Sequence, residues 1–198
     1  MTILTLIAIF IFAYLIGNFS PAYLSGKIFG HIDIREQGSG NAGATNVIRV
    51  LGWKLGIVVF ILDALKGLAA AALGNWLGGL TGVMIAAFGV ILGHDFPVFL
   101  NFRGGKGIAS TTGVFLFLFP LPALGAILLF ILVVWATRMV SLGSLVFVTS
   151  MLVYIFASGQ PAALIGMATG LAFFAFIRHS ENIQRILRGE ENRLSIGN

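Results

Sequence analysis

The amino-acid sequence predicts an all-α integral membrane protein, and three features support this fold class. Of the 198 residues, 58% are hydrophobic and only 10% are charged, whereas a soluble domain is roughly a quarter charged. The apolar residues form long runs without the alternation that is typical of strands, which favours a helical bundle over a barrel. These runs follow one another along the whole chain, so we expect residues 1–198 to form a single polytopic domain.

Candidate membrane spans are apolar runs of about 17 to 25 residues that polar or Pro/Gly-rich breaks separate. We expect about seven spans, of which the fourth is short: 2–29, 54–77, 80–100, 107–119, 121–137, 141–158 and 162–177. The first run lacks a basic leader and a small-residue cleavage site, so we expect it to be retained as a span. Asn18, Ser20 and Pro21 interrupt this run and predict a kink.

The distribution of basic residues predicts the orientation in the membrane. The connections after the first, third, fifth and seventh runs contain Arg35, Arg49, Arg103, Lys106, Arg138, Arg178, Arg185, Arg188 and Arg193. The opposite connections, near residues 78–79, 120–122 and 159–161, contain no Lys or Arg. Lys and Arg accumulate in cytoplasmic loops. We therefore expect the N-terminus outside and the C-terminus in the cytoplasm.

A glycine-rich segment with one lysine, Gly104-Gly105-Lys106-Gly107, follows a Phe96-Pro97 turn and precedes an apolar run. Glycines let backbone N–H groups approach a phosphate, a helix N-terminus favours an anion, and Lys106 adds a positive charge. The alternative is a tight interhelical turn that binds nothing. The spacing is not that of a Walker A loop, so we expect a phosphate site of another kind.

A second polar segment, GSGNAGATNVIR at residues 38–49, combines glycines with hydroxyl and amide side chains. Its polar members Ser39, Asn41 and Thr45, together with Arg49, suit a phosphate or a polyol. A solvated loop typically contains Lys and Glu instead. The alternative is a flexible cytoplasmic loop that leads into the second apolar run.

A third polar segment, RHSENIQR at residues 178–185, directly follows the last apolar run. As one continuous helix it would present Arg178, Asn182 and Arg185 on one face. The alternative is a basic juxtamembrane segment that contacts lipid headgroups.

Polar residues inside the apolar runs mark structural or functional positions. Asp63 and Lys66 are three residues apart and can pair across one helical turn. We favour a structural ion pair over substrate contact or proton transfer. Ser141 and Ser144 open the sixth run and are expected to be helix caps or cavity hydroxyls.

The sequence indicates neither a metal nor a cofactor. It contains no cysteine, and its three histidines are dispersed, so we expect no metal-ligand cluster. The net charge of +5 does not call for nucleic acid, because basic residues orient membrane proteins through their cytoplasmic loops.

The three polar segments resemble the three motifs of the bacterial PlsY-type glycerol-3-phosphate acyltransferases, in the same order along nearly the whole chain. The matching strings are SGNxGATNxxR at 39–49, GHxFPxFLxFRGGKG at 93–107 and HxENIxRxxxGxE at 179–191. The departures are Arg103 where a lysine is expected and Ser110 where a threonine is usual. Neither departure removes a charge or a hydroxyl.

This resemblance implies an enzyme of the bacterial plasma (inner) membrane that transfers an acyl chain from acyl phosphate to the primary hydroxyl of sn-glycerol 3-phosphate. The product would be lysophosphatidic acid, at the first step of phospholipid biosynthesis. No cofactor is implied, and neither acyl-CoA nor acyl carrier protein would be the immediate donor. The expected partners are the two substrates and membrane lipid, and the active site of the expected monomer would face the cytoplasm.

By motif position, the resemblance implies catalytic roles for Ser39, Lys106, His179 and Asn182. The expected substrate-binding residues are Ser39, Asn41, Thr45, Arg49, Gly104, Gly105, Lys106, Gly107, Ser141, Asn182 and Arg185. An acyl phosphate is already activated, so no covalent intermediate is required, and the sequence has no G-x-S-x-G elbow. Catalysis would then rest on positioning and charge stabilisation.

A small transporter or channel for a phosphorylated solute is the leading alternative, because glycine-broken helices with basic residues also suit that function. A transporter needs polar groups that continue to the other face and often contains internal repeats. Here the outer halves of the apolar runs are almost purely apolar, and no repeat is visible. A non-catalytic lipid-binding protein would explain the hydrophobicity but not three phosphate-suited segments. We therefore favour the enzyme.

Overall fold

The computed structural model describes residues 2–194, and within that range the regular structure is helical. The α-helices are α1 Ile3–Asn18, α2 Pro21–Phe29, α3 Ala44–Leu51, α4 Trp53–Asp95, α5 Ile108–Leu118, α6 Pro120–Thr137, α7 Val140–Ala157, α8 Ala162–Arg178 and α9 Ser180–Leu187. Short 3₁₀ turns occupy Ile34–Glu36 and Val98–Leu100. The chain forms two compact units, Met1–Leu118 and Phe119–Asn198.

The predicted kink in the first apolar run is confirmed as a break between α1 and α2. Proline has no N–H group, so Pro21 cannot donate a hydrogen bond to the Gly17 carbonyl four residues earlier. The Ser20 hydroxyl caps α2 by accepting a hydrogen bond from the Tyr23 N–H at 3.3 Å. The carbonyl groups at the end of α1 therefore need partners from elsewhere in the chain.

Helix α4 is a helical hairpin that reverses at Gly78 and Gly79, where the backbone is not helical. Gly74 and Gly82 would lie about 12 Å apart in a straight helix. Instead their backbones touch so closely that neither position has room for a Cβ atom. This confirms the turn expected near these glycines and separates α4 into a first arm, 53–77, and a second arm, 80–95.

Small residues set the packing of the N-terminal unit. Gly17 of α1 meets Gly93 of the second arm backbone to backbone, and Gly67 of the first arm meets the Ser110 backbone of α5. Close approach through small residues is the usual way in which apolar helices associate in membranes, since no hydrophobic driving force acts between them there.

Among residues 2–194, four helical segments are long and apolar enough to cross a membrane, or five if the bent pair α8 and α9 counts as one. The segment 53–100 counts once although it reverses at Gly78-Gly79, and α5 has only 11 residues. Large apolar side chains on the surface, such as Trp76, Leu121 and Trp135 at 75% exposure or more, suit contact with lipid. The arrangement of seven spans remains a prediction.

The alternative of a flexible loop at residues 38–49 is wrong for its second half, which is helical. Residues 44–51 form α3, which starts at Gly43 and ends at Gly52, where φ is 94°. The helix forms because Val47 is fully buried with Ile34 and Val59, and Val50 and Leu51 pack against the same cluster. The sequence interpretation missed the apolar face of α3 because it is only two turns long.

One expectation about the C-terminal unit was wrong, and of the two roles expected for Ser141 and Ser144, helix caps or cavity hydroxyls, the first is excluded. Residues 178–185 are not one helix, because the chain bends by 63° between α8 and α9, so Arg178 ends one helix while Asn182 and Arg185 lie on the next. Ser141 and Ser144 are not helix caps, since α7 begins after Met139 without a side-chain cap. The Ser144 hydroxyl donates to the Val140 carbonyl within the helix at 2.9 Å.

Candidate functional site

In the N-terminal unit, the first two polar segments lie against each other. The Ala42 N–H donates a hydrogen bond to the Gly104 carbonyl at 3.3 Å, so the chain from Ser39 to Arg49 borders the glycine-rich loop, Gly104–Gly107. The helix α3 begins within the first segment, after Gly43, and α5 begins directly after the glycine-rich loop, after Gly107. A helix N-terminus favours an anion, and glycines let an anion approach the backbone.

Asn46 holds the first segment in place. Its amide nitrogen donates to the Ile34 carbonyl at 2.8 Å and to the Gln37 carbonyl at 2.9 Å, while its side-chain oxygen accepts from the Ser39 N–H at 2.8 Å. The residue is 1% exposed. Asn46 therefore fixes the backbone around Ser39.

The glycine-rich loop rests on the end of α4. The N–H groups of Gly104 and Gly105 donate to the carbonyls of Asp95 and His94 at 3.2 and 3.0 Å. A Cβ atom on Gly105 would overlap the His94 ring, so only glycine allows this contact. The Tyr14 hydroxyl of α1 donates to the Phe96 carbonyl at 2.8 Å and anchors the turn that begins the loop.

Beneath this loop lies a buried polar cluster formed by Asp63, Lys66 and His94. The Lys66 ammonium is 2.7 Å from the Asp63 carboxylate and 2.8 Å from His94 Nδ1. It also donates to the carbonyls of Gly17 and Phe19 at 3.0 and 2.7 Å, which are carbonyls at the α1–α2 break. The structural ion pair expected between Asp63 and Lys66 is confirmed. The role of His94 was missed, although its Gly-His-Asp setting after an apolar run was a usable signal.

The predicted substrate-binding residues of this unit differ in exposure. Ser39 and Arg49 are exposed, whereas Asn41, Thr45 and Lys106 are half-buried. Gly107 has a φ of 71°, which glycine adopts without strain. The structure brings the two segments together, and the roles of their side chains towards a substrate remain predictions.

In the C-terminal unit, several polar residues contact the carboxylate of Glu191, which the sequence analysis included in the third motif without assigning it a role. Glu191 Oε1 accepts hydrogen bonds from the Ser141 hydroxyl at 2.8 Å and from the Asn182 amide at 2.6 Å. Glu191 Oε2 accepts from Arg185 Nε at 2.9 Å. Three of the predicted substrate-binding residues therefore share one buried acidic partner, which connects α7, α9 and the following segment.

The protonation of Glu191 reflects two opposing effects. Burial raises the pKa of its carboxyl group, but the hydrogen bonds from Asn182, Ser141 and Arg185 lower it more, so that the net pKa lies below the ordinary value for glutamate. Glu191 is therefore ionised at neutral pH. Its negative charge offsets the positive charge of Arg185. From the sequence alone, Arg185 was expected to be available to a phosphate.

His179 is buried at the bend between α8 and α9. Its Nδ1 lies 2.8 Å from the Ala175 carbonyl, and because a carbonyl only accepts, Nδ1 carries a proton. In a neutral ring, Nε2 is then the nitrogen with the lone pair. The ring can thus accept a proton or a hydrogen bond through Nε2.

An apolar groove of about 600 Å³ runs along α7. It is lined chiefly by Leu142, Leu145, Val146, Val153, Tyr154 and Phe176. Leu142 of the groove and Ser141 of the Glu191 cluster both belong to α7. A groove of this size and lining can hold an alkyl chain.

Comparison with known proteins gives consistent results. A family model described as glycerol-3-phosphate acyltransferase matches residues 7–189. A glycerol-3-phosphate acyltransferase from Thermoanaerobacter sp. (strain X514) is 45% identical over 187 residues, which cover 93% of each chain. The crystal structure of PlsY (YgiH), an integral membrane glycerol 3-phosphate acyltransferase, in its glycerol 3-phosphate form superposes with a TM-score of 0.90 at 37% identity and covers 96% of each chain. Its lysophosphatidic acid form gives a TM-score of 0.88.

We predict that Glu191→Gln lowers thermal stability in a pH-dependent manner. Because the pKa of Glu191 is lower in the folded protein than in the unfolded chain, its ionisation stabilises the fold above the ordinary glutamate pKa. This contribution disappears as the pH falls towards the folded-state value. The melting temperature of Glu191→Gln in detergent should therefore lie below that of the wild type at pH 7, by the equivalent of about 1–3 kcal/mol. The difference should shrink in acid.

Glu190→Gln is the matched control, since Glu190 is the exposed neighbour of Glu191. It should leave the melting temperature unchanged at every pH. Equal pH profiles for the two variants would contradict the assignment of Glu191 as the buried acceptor.

Proposed function

The chain belongs to the glycerol-3-phosphate acyltransferase family, and we propose that its acyl donor is an acyl phosphate. It is an acyltransferase that acylates glycerol 3-phosphate to lysophosphatidic acid. The observation that carries the proposal about the donor is the position of Lys106 at the N-terminus of α5, beside the Ser39–Arg49 segment. Both substrates of the proposed reaction carry a phosphate.

The proposed reaction needs no covalent intermediate. The primary hydroxyl oxygen of glycerol 3-phosphate attacks the acyl carbonyl carbon, the bond between this carbon and the bridging phosphate oxygen breaks, and the hydroxyl proton ends on the released phosphate. The protein would contribute orientation and stabilise the charge that develops on the leaving phosphate.

In the N-terminal unit, we assign phosphate stabilisation to Lys106 and to the N-terminus of α5 after Gly107. Gly104 and Gly105 shape the loop, because their N–H groups already donate to the carbonyls of Asp95 and His94. The residues assigned to binding of glycerol 3-phosphate are Ser39, Asn41, Thr45 and Arg49. The support is that Ala42 and Gly104 are hydrogen-bonded, so the two segments border the same surface of this unit.

In the C-terminal unit, we assign His179 to the orientation of a substrate oxygen through Nε2, because Nδ1 is engaged by Ala175. Asn182, Ser141 and Arg185 are proposed to contribute to substrate binding as members of the Glu191 cluster. The groove along α7 is proposed to hold the acyl chain, since its lining is almost entirely apolar.

We further propose that the protein is a monomer that crosses the bacterial inner membrane seven times. Its N-terminus would lie outside, and its active-site residues would lie on the cytoplasmic side. The hairpin in α4 supplies two of these passes, and the basic residues fall on alternate connections as the positive-inside rule requires.

The proposed donor is tested with purified protein, glycerol 3-phosphate and palmitoyl phosphate, with palmitoyl-CoA and palmitoyl-acyl carrier protein as alternative donors. We expect lysophosphatidic acid, detected by mass, with palmitoyl phosphate alone. Equal or faster product formation from either thioester would contradict the acyl phosphate assignment. Light scattering on the same sample should give the mass of a monomer.

We predict that Lys106→Met abolishes measurable turnover while the protein still folds in detergent. Loss of the charge leaves the donor phosphate unneutralised, which costs about 3–4 kcal/mol, or a few hundredfold or more in rate. Lys54→Met removes an exposed lysine elsewhere in the same unit and should retain activity. Near wild-type turnover of Lys106→Met at saturating donor would contradict the assignment.

The topology is tested by single cysteines, and the cysteine-free chain supplies a clean background. Cysteines at the exposed positions Gln37, Arg103 and Gln184 should react with an impermeant maleimide only from the cytoplasmic side. Those at the exposed positions Thr81 and Ser158 should react only from outside. Labelling of Gln37 and Arg103 from opposite faces would contradict the proposed orientation.

A further inference from the structure

Arg35 contacts three parts of the N-terminal unit, one of which lies 65 residues away in sequence. Its Nε and Nη2 donate to the two carboxylate oxygens of Asp33 at 2.9 and 2.7 Å. Its Nη1 donates to the Leu100 carbonyl at 2.7 Å, and its guanidinium carbon lies 5.0 Å from the centre of the Tyr23 ring. The side chain is only 11% exposed. Arg35 therefore links α2 and the 34–36 turn to the segment that enters the glycine-rich loop.

The segment after Leu100 has a backbone that its sequence does not favour. Asn101 and Phe102 have φ values of 54° and 59°, a left-handed conformation that asparagine tolerates but that costs Phe102 roughly 1 kcal/mol or more. These residues are exposed, so burial of their side chains does not compensate. Hydrogen bonds to the backbone hold the conformation, and the Leu100 carbonyl accepts two of them, from Arg35 and from the Arg103 N–H at 3.2 Å.

Asp33 fixes the direction of the guanidinium group. A carboxylate that accepts two parallel hydrogen bonds holds a guanidinium in one plane, and the remaining Nη1 then meets the Leu100 carbonyl. The Arg35 N–H also donates to Asp33 at 3.0 Å. These hydrogen bonds lower the pKa of Asp33 to about 2, so the pair stays ionised at every pH at which the protein functions. A lysine could reach one acceptor but could not reproduce the paired contact.

The same turn carries the first polar segment. Asn46 donates to the carbonyls of Ile34 and Gln37, on either side of Arg35 and Glu36, and accepts from the Ser39 N–H. A displacement of the turn would therefore move Ser39 relative to Gly104–Gly107. Without Arg35, the backbones of the two segments would still be joined by the hydrogen bond from Ala42 to Gly104.

We propose that Arg35, oriented by Asp33, is a positioning residue that sets the separation between the Ser39–Arg49 segment and the glycine-rich loop. It thereby sets the affinity for glycerol 3-phosphate without contacting it. This inference rests on the proposed phosphate-binding role of the two segments. It assigns a function to a partly buried ion pair, which the sequence presented only as one basic residue in a connection.

The test compares Arg35→Met, Arg35→Lys and Asp33→Asn with the wild type in steady-state assays that use glycerol 3-phosphate and palmitoyl phosphate. Arg35→Met should raise the KM for glycerol 3-phosphate about tenfold, as expected for the loss of a charge-assisted hydrogen bond. The kcat and the KM for palmitoyl phosphate should change less than about twofold. Arg35→Lys should be intermediate, and Asp33→Asn should add no further effect in the Arg35→Met background, since both changes break one unit.

Lys27→Met is the matched control, because Lys27 is the other cation over the Tyr23 ring, at 5.6 Å from its centre, and it is exposed. It should leave all kinetic constants unchanged. An equal rise in KM for Lys27→Met would show that net charge alone attracts the substrate and would overturn the proposal. So would a rise in both KM values with a proportional loss of kcat, which indicates general destabilisation.

The wild-type assay separates failure of the proposed function from failure of this inference. If the wild type acylates glycerol 3-phosphate, the KM values of the Arg35 variants test whether Arg35 is a positioning residue. If the wild type does not acylate glycerol 3-phosphate, the proposed function is contradicted. The role of Arg35 is then tested by measuring how far glycerol 3-phosphate raises the melting temperature. In that measurement Arg35→Met should need about ten times more glycerol 3-phosphate than Lys27→Met for the same shift, and equal requirements would overturn the proposal. Arg35→Lys serves both measurements if Arg35→Met does not fold.

Discussion

The candidate site of the N-terminal unit depends on the contacts that the Lys66 ammonium group makes. Pro21 breaks the first apolar run and leaves the Gly17 carbonyl without its helical donor, and Lys66 donates to this carbonyl and to that of Phe19. The same ammonium pairs with Asp63 and contacts the ring of His94. In an apolar interior, loss of one member would leave the others buried without compensation, at a cost of about 3–5 kcal/mol.

This cluster connects the break between α1 and α2 to the glycine-rich loop through His94. His94 contacts Lys66 through its ring, accepts from the Gly105 N–H through its carbonyl, and fills the space that a side chain at position 105 would need. The loop therefore rests on a buried surface whose position is set by α1 and by both arms of α4. Such support suits a phosphate site, because a loop that is already held in place needs no reorganisation when the anion binds.

Local chemistry explains what could be predicted from the sequence. The kink at Pro21 and the reversal at Gly78-Gly79 follow from properties of single residues, and Asp63 and Lys66 pair because their spacing is helical. The partner of Glu191 could not be predicted, since Ser141 is 50 residues away and only the fold brings the two together. The bend at His179 was missed for a related reason, because polar residues on both sides of the bend share a helical spacing.

Ion pairing changes how the net charge of +5 should be interpreted. Arg35, Lys66 and Arg185 each face a carboxylate, from Asp33, Asp63 and Glu191 respectively, so their charges are largely offset within the fold. A basic residue that already holds a carboxylate must exchange that partner to bind a phosphate, which reduces its net gain. Arg185 is thus a weaker candidate for phosphate binding than its sequence position indicated. The glycine-rich loop remains the proposed phosphate site, because Lys106 lies at the start of a helix whose dipole favours an anion.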